Sequence, residues 1–328
     1  MVITRTPFRI SLFGGGSDFP SWYETYGGSV VSFAIDKYCY ITARFLPPFF
    51  EHKYRIAYSQ VETVSRVEDI KHPAVRESLK FFSADEGVEI HHDGDLPARS
   101  GVGSSSAFAV GITHALSLLT KNFEPDKYLL AQEAISLEQV RLKENVGSQD
   151  QIASAFGGFN FIKFCKKPMP WEVNPININK NIESQLLSGL YLIYSGISRF
   201  SSDISAGLTE NIVAKKSAIE RVVTLAEQCR ELLENNGNVD DVGHMLHESW
   251  VLKARMNALS MNERLQEMYR GAQSCGATGG KVLGAGGGGF LLFYVPADFR
   301  ERFESCFKLG TRIPIAIDRE GSTCILNS

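Results

Sequence analysis

A glycine- and serine-rich turn that runs straight into an apolar helix constrains this chain more than any other feature. Residues Asp95 to Phe108 read DLPARSGVGSSSAF, and the thirteen residues from Ala107 to Leu119 are apolar nearly all round. A helix start offers free backbone N–H groups and a partial positive charge, so it attracts phosphate. Gly101 and Gly103 remove side chains where an anion approaches the backbone, and Ser104, Ser105 and Ser106 add hydroxyls at the helix entry. The apolar run then anchors the helix in a core. A flexible Gly/Ser linker has no such helix behind it. The segment lacks the lysine of the G-x-x-x-x-G-K-[ST] loop and the third glycine of the dinucleotide fingerprint. It reads as a phosphate cradle of another kind.

Composition narrows the setting. A chain of 328 residues suggests two domains. A formal net charge of −3 gives no general basic field for nucleic acid or an anionic membrane surface. Attraction for a phosphorylated ligand must be built locally. The six cysteines are scattered, which argues against a zinc site or a disulfide framework and for reduced thiols. His91 and His92 point to opposite faces of a strand, and His244 and His247 have no third ligand nearby in sequence. The N-terminus enters patterned sequence directly, and no apolar run reaches the roughly 18 residues of a membrane span. A cytoplasmic protein is expected, with no membrane or nucleic-acid partner.

Alternation and composition place strands at Val30 to Ala43, Lys53 to Tyr58, Gly87 to His92, Gly157 to Phe164, Leu190 to Tyr194, Leu291 to Val295 and Ile313 to Ile317. Helices are expected from near Pro125 to about Lys143, and at Ala214 to Asn235, Val239 to Met256 and Asn262 to Ser274. The stretch Lys166 to Asn181 is rich in Pro, Asn and Lys, so the boundary falls near its end. The expected domains are 1–180 and 181–328, two separate α+β units.

Two more glycine clusters carry chemistry. Thr6 to Pro20 reads TPFRISLFGGGSDFP. Gly14, Gly15 and Gly16 let a ligand lie against the chain, and Asp18, beside Ser17, can accept hydrogen bonds from sugar hydroxyls. Arg9 lies in the strand before them, where its charge needs a carboxylate or a ligand. Ala277 to Phe290 reads ATGGKVLGAGGGGF, and its glycines point to close backbone approach or to a hinge. Glu138 sits on a helix, and Asp150 follows in the loop GSQDQ after that helix ends. Phosphoryl transfer needs a divalent ion, for which a carboxylate and a serine hydroxyl suffice, and a group to orient the attacking hydroxyl. Spacing alone does not assign those roles.

Together the three segments resemble the GHMP kinases, named for galactokinase, homoserine kinase, mevalonate kinase and phosphomevalonate kinase. The resemblance spans the chain, and Pro97 to Ser106 fits the hallmark P-x-x-x-G-[LV]-G-S-S-[AS]. It implies an α+β, two-domain GHMP kinase fold, with an N-terminal unit like domain 2 of ribosomal protein S5 and a ferredoxin-like C-terminal unit. It implies that Pro97, Gly101, Val102, Gly103, Ser104, Ser105 and Ser106 bind ATP, that Ser105 and Glu138 hold Mg²⁺, and that Asp150 is the catalytic aspartate that takes the hydroxyl proton, with Arg9 assisting. Gly15, Gly16, Ser17 and Asp18 would meet the sugar, as would Gly286 and Gly287 of the third cluster. Within the superfamily the chain is most similar to kinases that phosphorylate D-glycero-D-manno-heptose 7-phosphate at the anomeric C1 hydroxyl. The 1,7-bisphosphate would feed nucleotide-activated heptose. Where the galactokinase motif has Glu-His, this chain has Gly15-Gly16, which argues against galactose. Arg199 among hydroxyls, and Lys281, are the candidate clamps for a sugar phosphate. Other sugar 1-kinases (fucose, a uronic acid) and a non-catalytic sugar and ATP sensor are the competing readings. A small-molecule substrate is the expected partner, with room for a homodimer.

Overall fold

A computed structural model describes residues 1–84, 86–166, 170–197, 215–256 and 262–328. Its strands are β1 (Val2–Phe13), β2 (Gly28–Phe45), β3 (Tyr54–Ala57), β4 (Val61–Val64), β5 (Val88–Gly94), β6 (Phe159–Phe164), β7 (Trp171–Pro175), β8 (Leu190–Tyr194), β9 (Gly279–Val282), β10 (Phe290–Tyr294), β11 (Thr311–Ile313) and β12 (Thr323–Asn327). Eight form one sheet in the order β12-β1-β2-β5-β3-β4, with β6 on β2 and β7 on β6. The other four form a second sheet in the order β11-β8-β10-β9. Both α-helices and strands contribute throughout, in a two-sheet α+β architecture.

β2 organises the first sheet. Gly28 to Phe33 pairs with β6, and Cys39 to Phe45 pairs with β5. Along its other edge runs β1, antiparallel to it. The apolar helix expected from the sequence spans Ser104–Lys121, and every residue from Ser106 to Leu118 is buried. It packs closely on β1 and β2. A Cβ on Gly111 would lie 3.1 Å from Ile41 Cγ1 and from Thr6 Oγ1, and Thr4 Oγ1 donates to the Gly111 carbonyl at 3.0 Å. Only glycine brings this helix so near the sheet carrying the site.

Several expectations change. Of the strand expected at Ile313 to Ile317, the ladder covers only Thr311–Ile313, because Pro314 has no N–H to extend it, and Ile317 makes an isolated bridge to Ile35. The last strand is β12, and it pairs with β1, so the end of the chain returns to the first sheet. The scattered cysteines include a bonded pair, Cys275 with Cys306, at the ends of the helices Glu263–Ser274 and Arg300–Cys306. They lie 31 residues apart, a separation no spacing rule marks. Cys39 and Cys229 are free and buried, as expected of core thiols. Among the described residues, no helix is long and apolar enough to cross a membrane.

Candidate active site

The phosphate loop ends in a helix whose start is open. Gly103, in the left-handed region at φ 75°, precedes the Ser104–Lys121 helix, and no side chain caps it. There is no acidic residue in the first turn. Uncapped N–H groups of this kind suit an anion. The loop is held from within: Ser100 Oγ donates to the Pro97 carbonyl at 2.6 Å, and Ser104 Oγ accepts from the Arg99 N–H at 3.0 Å.

Arg9 ties this loop to a carboxylate. The β1–β2 register shifts between Pro7 and Arg9, and the Arg9 N–H turns to the Val102 carbonyl at 3.1 Å. A bulge of this sort re-aims a side chain. The guanidinium donates through Nη1 to the Gly101 carbonyl at 2.8 Å. Its Nε and Nη2 donate to Asp150 Oδ1 and Oδ2 at 2.6 and 2.5 Å. Arg9 is buried, while Asp150 keeps 24% of its side chain exposed. Asp150 is not in a loop, as expected, but in the first turn of the helix Gln149–Phe156.

Glu138 stands in contrasting surroundings. The helix Lys127–Ser136 runs on into a π-turn over Leu137–Arg141, closed by the Leu142 N–H on the Leu137 carbonyl at 2.9 Å. Such turns are common at functional sites because the extra residue redirects a side chain. Here Glu138 points inward. Its Oε2 accepts from Ser106 Oγ at 2.7 Å and from Gln151 Nε2, while Oε1 is buried without a partner. Burial, opposed by the Ser106 hydrogen bond and helped by the charge on Glu144, pushes its carboxyl up to about 7. An orphaned buried carboxylate oxygen beside a hydroxyl fits a divalent cation. Ser105, expected beside the metal, is exposed instead, and Ser106 is the hydroxyl on Glu138. Successive helical residues point roughly 100° apart, so one serine faces Glu138 and the next does not. Among the described residues no three His, Cys, Asp or Glu side chains cluster as a metal cage.

The first glycine turn lies against the same corner. Asp18 is buried; its Oδ1 accepts from the Gly16 N–H at 2.9 Å, and its Oδ2 faces the Gln149 N–H at 3.4 Å. Burial first, and then the charge on Asp150, raise its carboxyl above the ordinary range. Ser17 is not free for a sugar: its hydroxyl donates to the Gly14 carbonyl at 2.8 Å and accepts from the Ser29 N–H at 3.2 Å. A Cβ on Gly14 would lie 1.9 Å from the Ser29 carbonyl oxygen, so this glycine serves chain packing. Gly15 lies beside the Gln149 carboxamide, and Gly16 faces open space.

The third glycine turn docks on the phosphate loop. A Cβ on Gly284 would meet Gly101 Cα at 2.6 Å, and one on Gly289 would meet the Ser100 carbonyl oxygen at 2.1 Å. The Phe290 N–H donates to that carbonyl at 2.9 Å. Much of the glycine requirement is therefore backbone meeting backbone. Gly286 and Gly287 hold φ of 100° and 75°, and Asn262 Nδ2 donates to the Gly287 carbonyl at 2.9 Å. Lys281 is not a free cation beside the turn. It lies buried in β9, and its Nζ donates to the Ser11 and Leu12 carbonyls of β1 at 3.1 and 2.8 Å. Arg199 lies outside the described residues.

The structure thus brings Arg9, Asp150, Asp18, Glu138 and the phosphate loop together. Sequence reasoning missed Ser106 as the partner of Glu138, and Gln149 and Gln151 altogether. The two glutamines flank Asp150 in GSQDQ, which was the one local signal.

Residues 67–158 match the family model described as the GHMP kinases N terminal domain, and residues 225–305 match GHMP kinases C terminal. Among curated proteins, a D-glycero-alpha-D-manno-heptose 7-phosphate kinase of Campylobacter jejuni is 29% identical over 308 residues, covering 89% of this chain and 88% of the relative. A bifunctional fucokinase/GDP-fucose pyrophosphorylase of Arabidopsis thaliana is 27% identical over 94% of this chain and 31% of its own. The crystal structure of a D-glycero-D-manno-heptose 1-phosphate kinase from Bacteroides thetaiotaomicron covers 100% of both chains, with a TM-score of 0.80 and 23% identity, a likeness of fold.

Proposed function

The chain belongs to the GHMP kinases, and on that premise we propose that it phosphorylates the anomeric C1 hydroxyl of D-glycero-D-manno-heptose 7-phosphate. It is an ATP-using phosphotransferase with an alcohol acceptor, a sugar kinase close to the heptose phosphate kinases. The observation that carries the reading is the fork of Arg9, which joins the Gly101 carbonyl to both oxygens of Asp150. An acid and a cation therefore sit at the edge of the phosphate cradle.

In the proposed reaction the sugar lies between the first glycine turn and Asp150. A carboxylate has about four lone-pair sites, so the Arg9 fork leaves Asp150 able to accept a proton. Asp150 takes the proton of the C1 hydroxyl as that oxygen bonds to the γ-phosphorus. The bond from γ-phosphorus to the bridging oxygen breaks, and ADP leaves with the electron pair. Arg9 stays beside the transferring group, and the open helix start takes up charge on the remaining phosphates. Glu138 and Ser106 are the residues that would hold Mg²⁺, which when bound supplies positive charge against the phosphate oxygens. No atom lies within 4 Å of where a Cβ on Gly16 would stand, which leaves space beside the proposed sugar position.

An ADP-release assay over sugars and sugar phosphates tests the reading. The fastest turnover is expected on D-glycero-D-manno-heptose 7-phosphate. Turnover confined to neutral sugars such as fucose would overturn that substrate, and would favour the fucokinase-like alternative.

A further inference from the structure

Beside the Arg9–Asp150 pair stand two polar side chains with unmet hydrogen bonds. Ser11 follows Arg9 by two residues on β1, over a stretch where the register with β2 is regular, so both side chains leave the same face. Gln149 precedes Asp150 at the start of the helix Gln149–Phe156. Ser11 is 6% exposed and Gln149 7%. Among the described residues, neither Ser11 Oγ nor Gln149 Oε1 has a hydrogen-bond partner. Buried polar atoms are nearly always paired, so two unpaired ones next to the reacting acid require a reason.

Both side chains border the place that Gly15 leaves empty. A Cβ on Gly15 would stand 3.6 Å from Gln149 Nε2 and 3.9 Å from Ser11 Oγ. Apart from the turn itself, no other atom of the described residues lies within 4 Å of that point. These are ordinary contact distances, so an atom of carbon size fits there without a clash. Nothing lies within 4 Å of a Cβ on Gly16, so the space continues past the next residue.

The lining selects what enters. Gln149 offers amide N–H donors and a carbonyl acceptor, and Ser11 can donate or accept, so both are neutral and two-sided. The carboxylates of this corner are Asp18 and Asp150, which disfavour an anionic group of a ligand. Its cations are already engaged, Arg9 with Asp150 and Lys281 with the Ser11 and Leu12 carbonyls. A hydroxyl suits such a lining, because it can accept from the Gln149 amide while donating to Ser11.

We propose that Gln149 and Ser11 bind a ring hydroxyl of the sugar, other than the one that reacts, in the space that Gly15 leaves open. They hold the neutral part of the sugar against Asp150, and a phosphate on the sugar lies outside this corner. The proposal rests on the kinase reading above and adds two residues that set which sugar is accepted.

Steady-state kinetics of Gln149→Met and Ser11→Ala test it, with melting curves of the ligand-free proteins beside them. The sugar is D-glycero-D-manno-heptose 7-phosphate, or fucose if the unaltered chain turns over only that. In each variant KM for the sugar should rise roughly five- to a hundredfold while KM for ATP stays within about twofold, the scale of a ligand hydroxyl left unmatched. Because one hydroxyl meets both residues, the double variant should lose little more than the weaker single variant. Ser11→Ala removes a buried hydroxyl that bonds nothing, so without ligand it should melt no lower than the unaltered chain. A lower melting temperature in Ser11→Ala with KM for the sugar unchanged would make that hydroxyl structural and overturn the proposal. An unchanged KM for the sugar in both variants, or one that rises in step with KM for ATP, would overturn it as well. If Gln149→Met does not fold, Ser11→Ala decides alone. Normal turnover by the unaltered chain with unaffected variants sinks this proposal and leaves the kinase reading standing, whereas no turnover of any sugar by the unaltered chain sinks both.

Discussion

The two carboxylates of the site differ in where their counter-charge comes from. Asp150 lies in the fork of Arg9, bonded through both oxygens. Glu138, on the other side of the phosphate loop's helix start, has only a hydroxyl and an amide, and one oxygen has nothing. A group whose charge is matched within the chain is ready before any ligand arrives. A group left unmatched is held for one that the ligand brings. The first corner reads as the acid–base end of the site and the second as the cation end.

Asp150→Asn breaks the first corner, and the largest effect is expected there. It removes the proton acceptor, and ADP release should slow by about 10²- to 10⁴-fold in kcat. It also leaves the buried Arg9 half-partnered. Stability should fall by about 2 kcal/mol in a denaturant titration, the range for a hydrogen bond to a charged group. A variant that keeps near-full kcat would remove Asp150 from the chemistry.

Glu138→Gln tests the second corner, and here stability should move the other way. An acid whose folded value lies near 7, above its ordinary 4.5, binds more protons folded than unfolded between those values. Its contribution to stability is complete below the lower value and is lost as pH rises through the upper one. The shift corresponds to roughly 3 kcal/mol. In buffer free of divalent ions, the melting temperature of the unaltered chain should therefore decline over that window more steeply than that of Glu138→Gln. Added Mg²⁺ should restore the unaltered chain and not the variant. Matching pH slopes in the two proteins would mean that the Glu138 carboxyl is not raised in the folded chain, and a chain that Mg²⁺ fails to restore would mean that Glu138 carries no cation. In turnover, Glu138→Gln should cost about 10²-fold, less than the loss at Asp150.

The same contrast explains what the sequence made legible. The phosphate loop could be read because its signal is local: glycines, hydroxyls and an apolar helix in one continuous run. The Arg9–Asp150 pair spans 141 positions, so its geometry waits on the fold, although the family resemblance had singled out both residues. The third glycine turn misled for a physical reason. Glycine permits close approach to any backbone, and Gly284 and Gly289 meet the chain's own phosphate loop. Lys281 was visible as a cation but not as a buried one, because its neighbours in GGKV do not say which way a strand faces.

The smallest expected effect separates two adjacent serines. Ser106 donates to Glu138, whereas Ser105 is exposed one position earlier. If the cation end depends on that hydroxyl, Ser106→Ala should lower kcat by about three- to tenfold and raise the Mg²⁺ concentration needed for half-maximal rate, the scale of one hydrogen bond. Ser105→Ala should stay within about twofold, since an exposed hydroxyl exchanges its partner for water at little cost. Measuring both across a Mg²⁺ titration fixes the phase of the helix relative to Glu138. A larger loss in Ser105→Ala would mean that Ser105, not Ser106, serves the cation end during turnover.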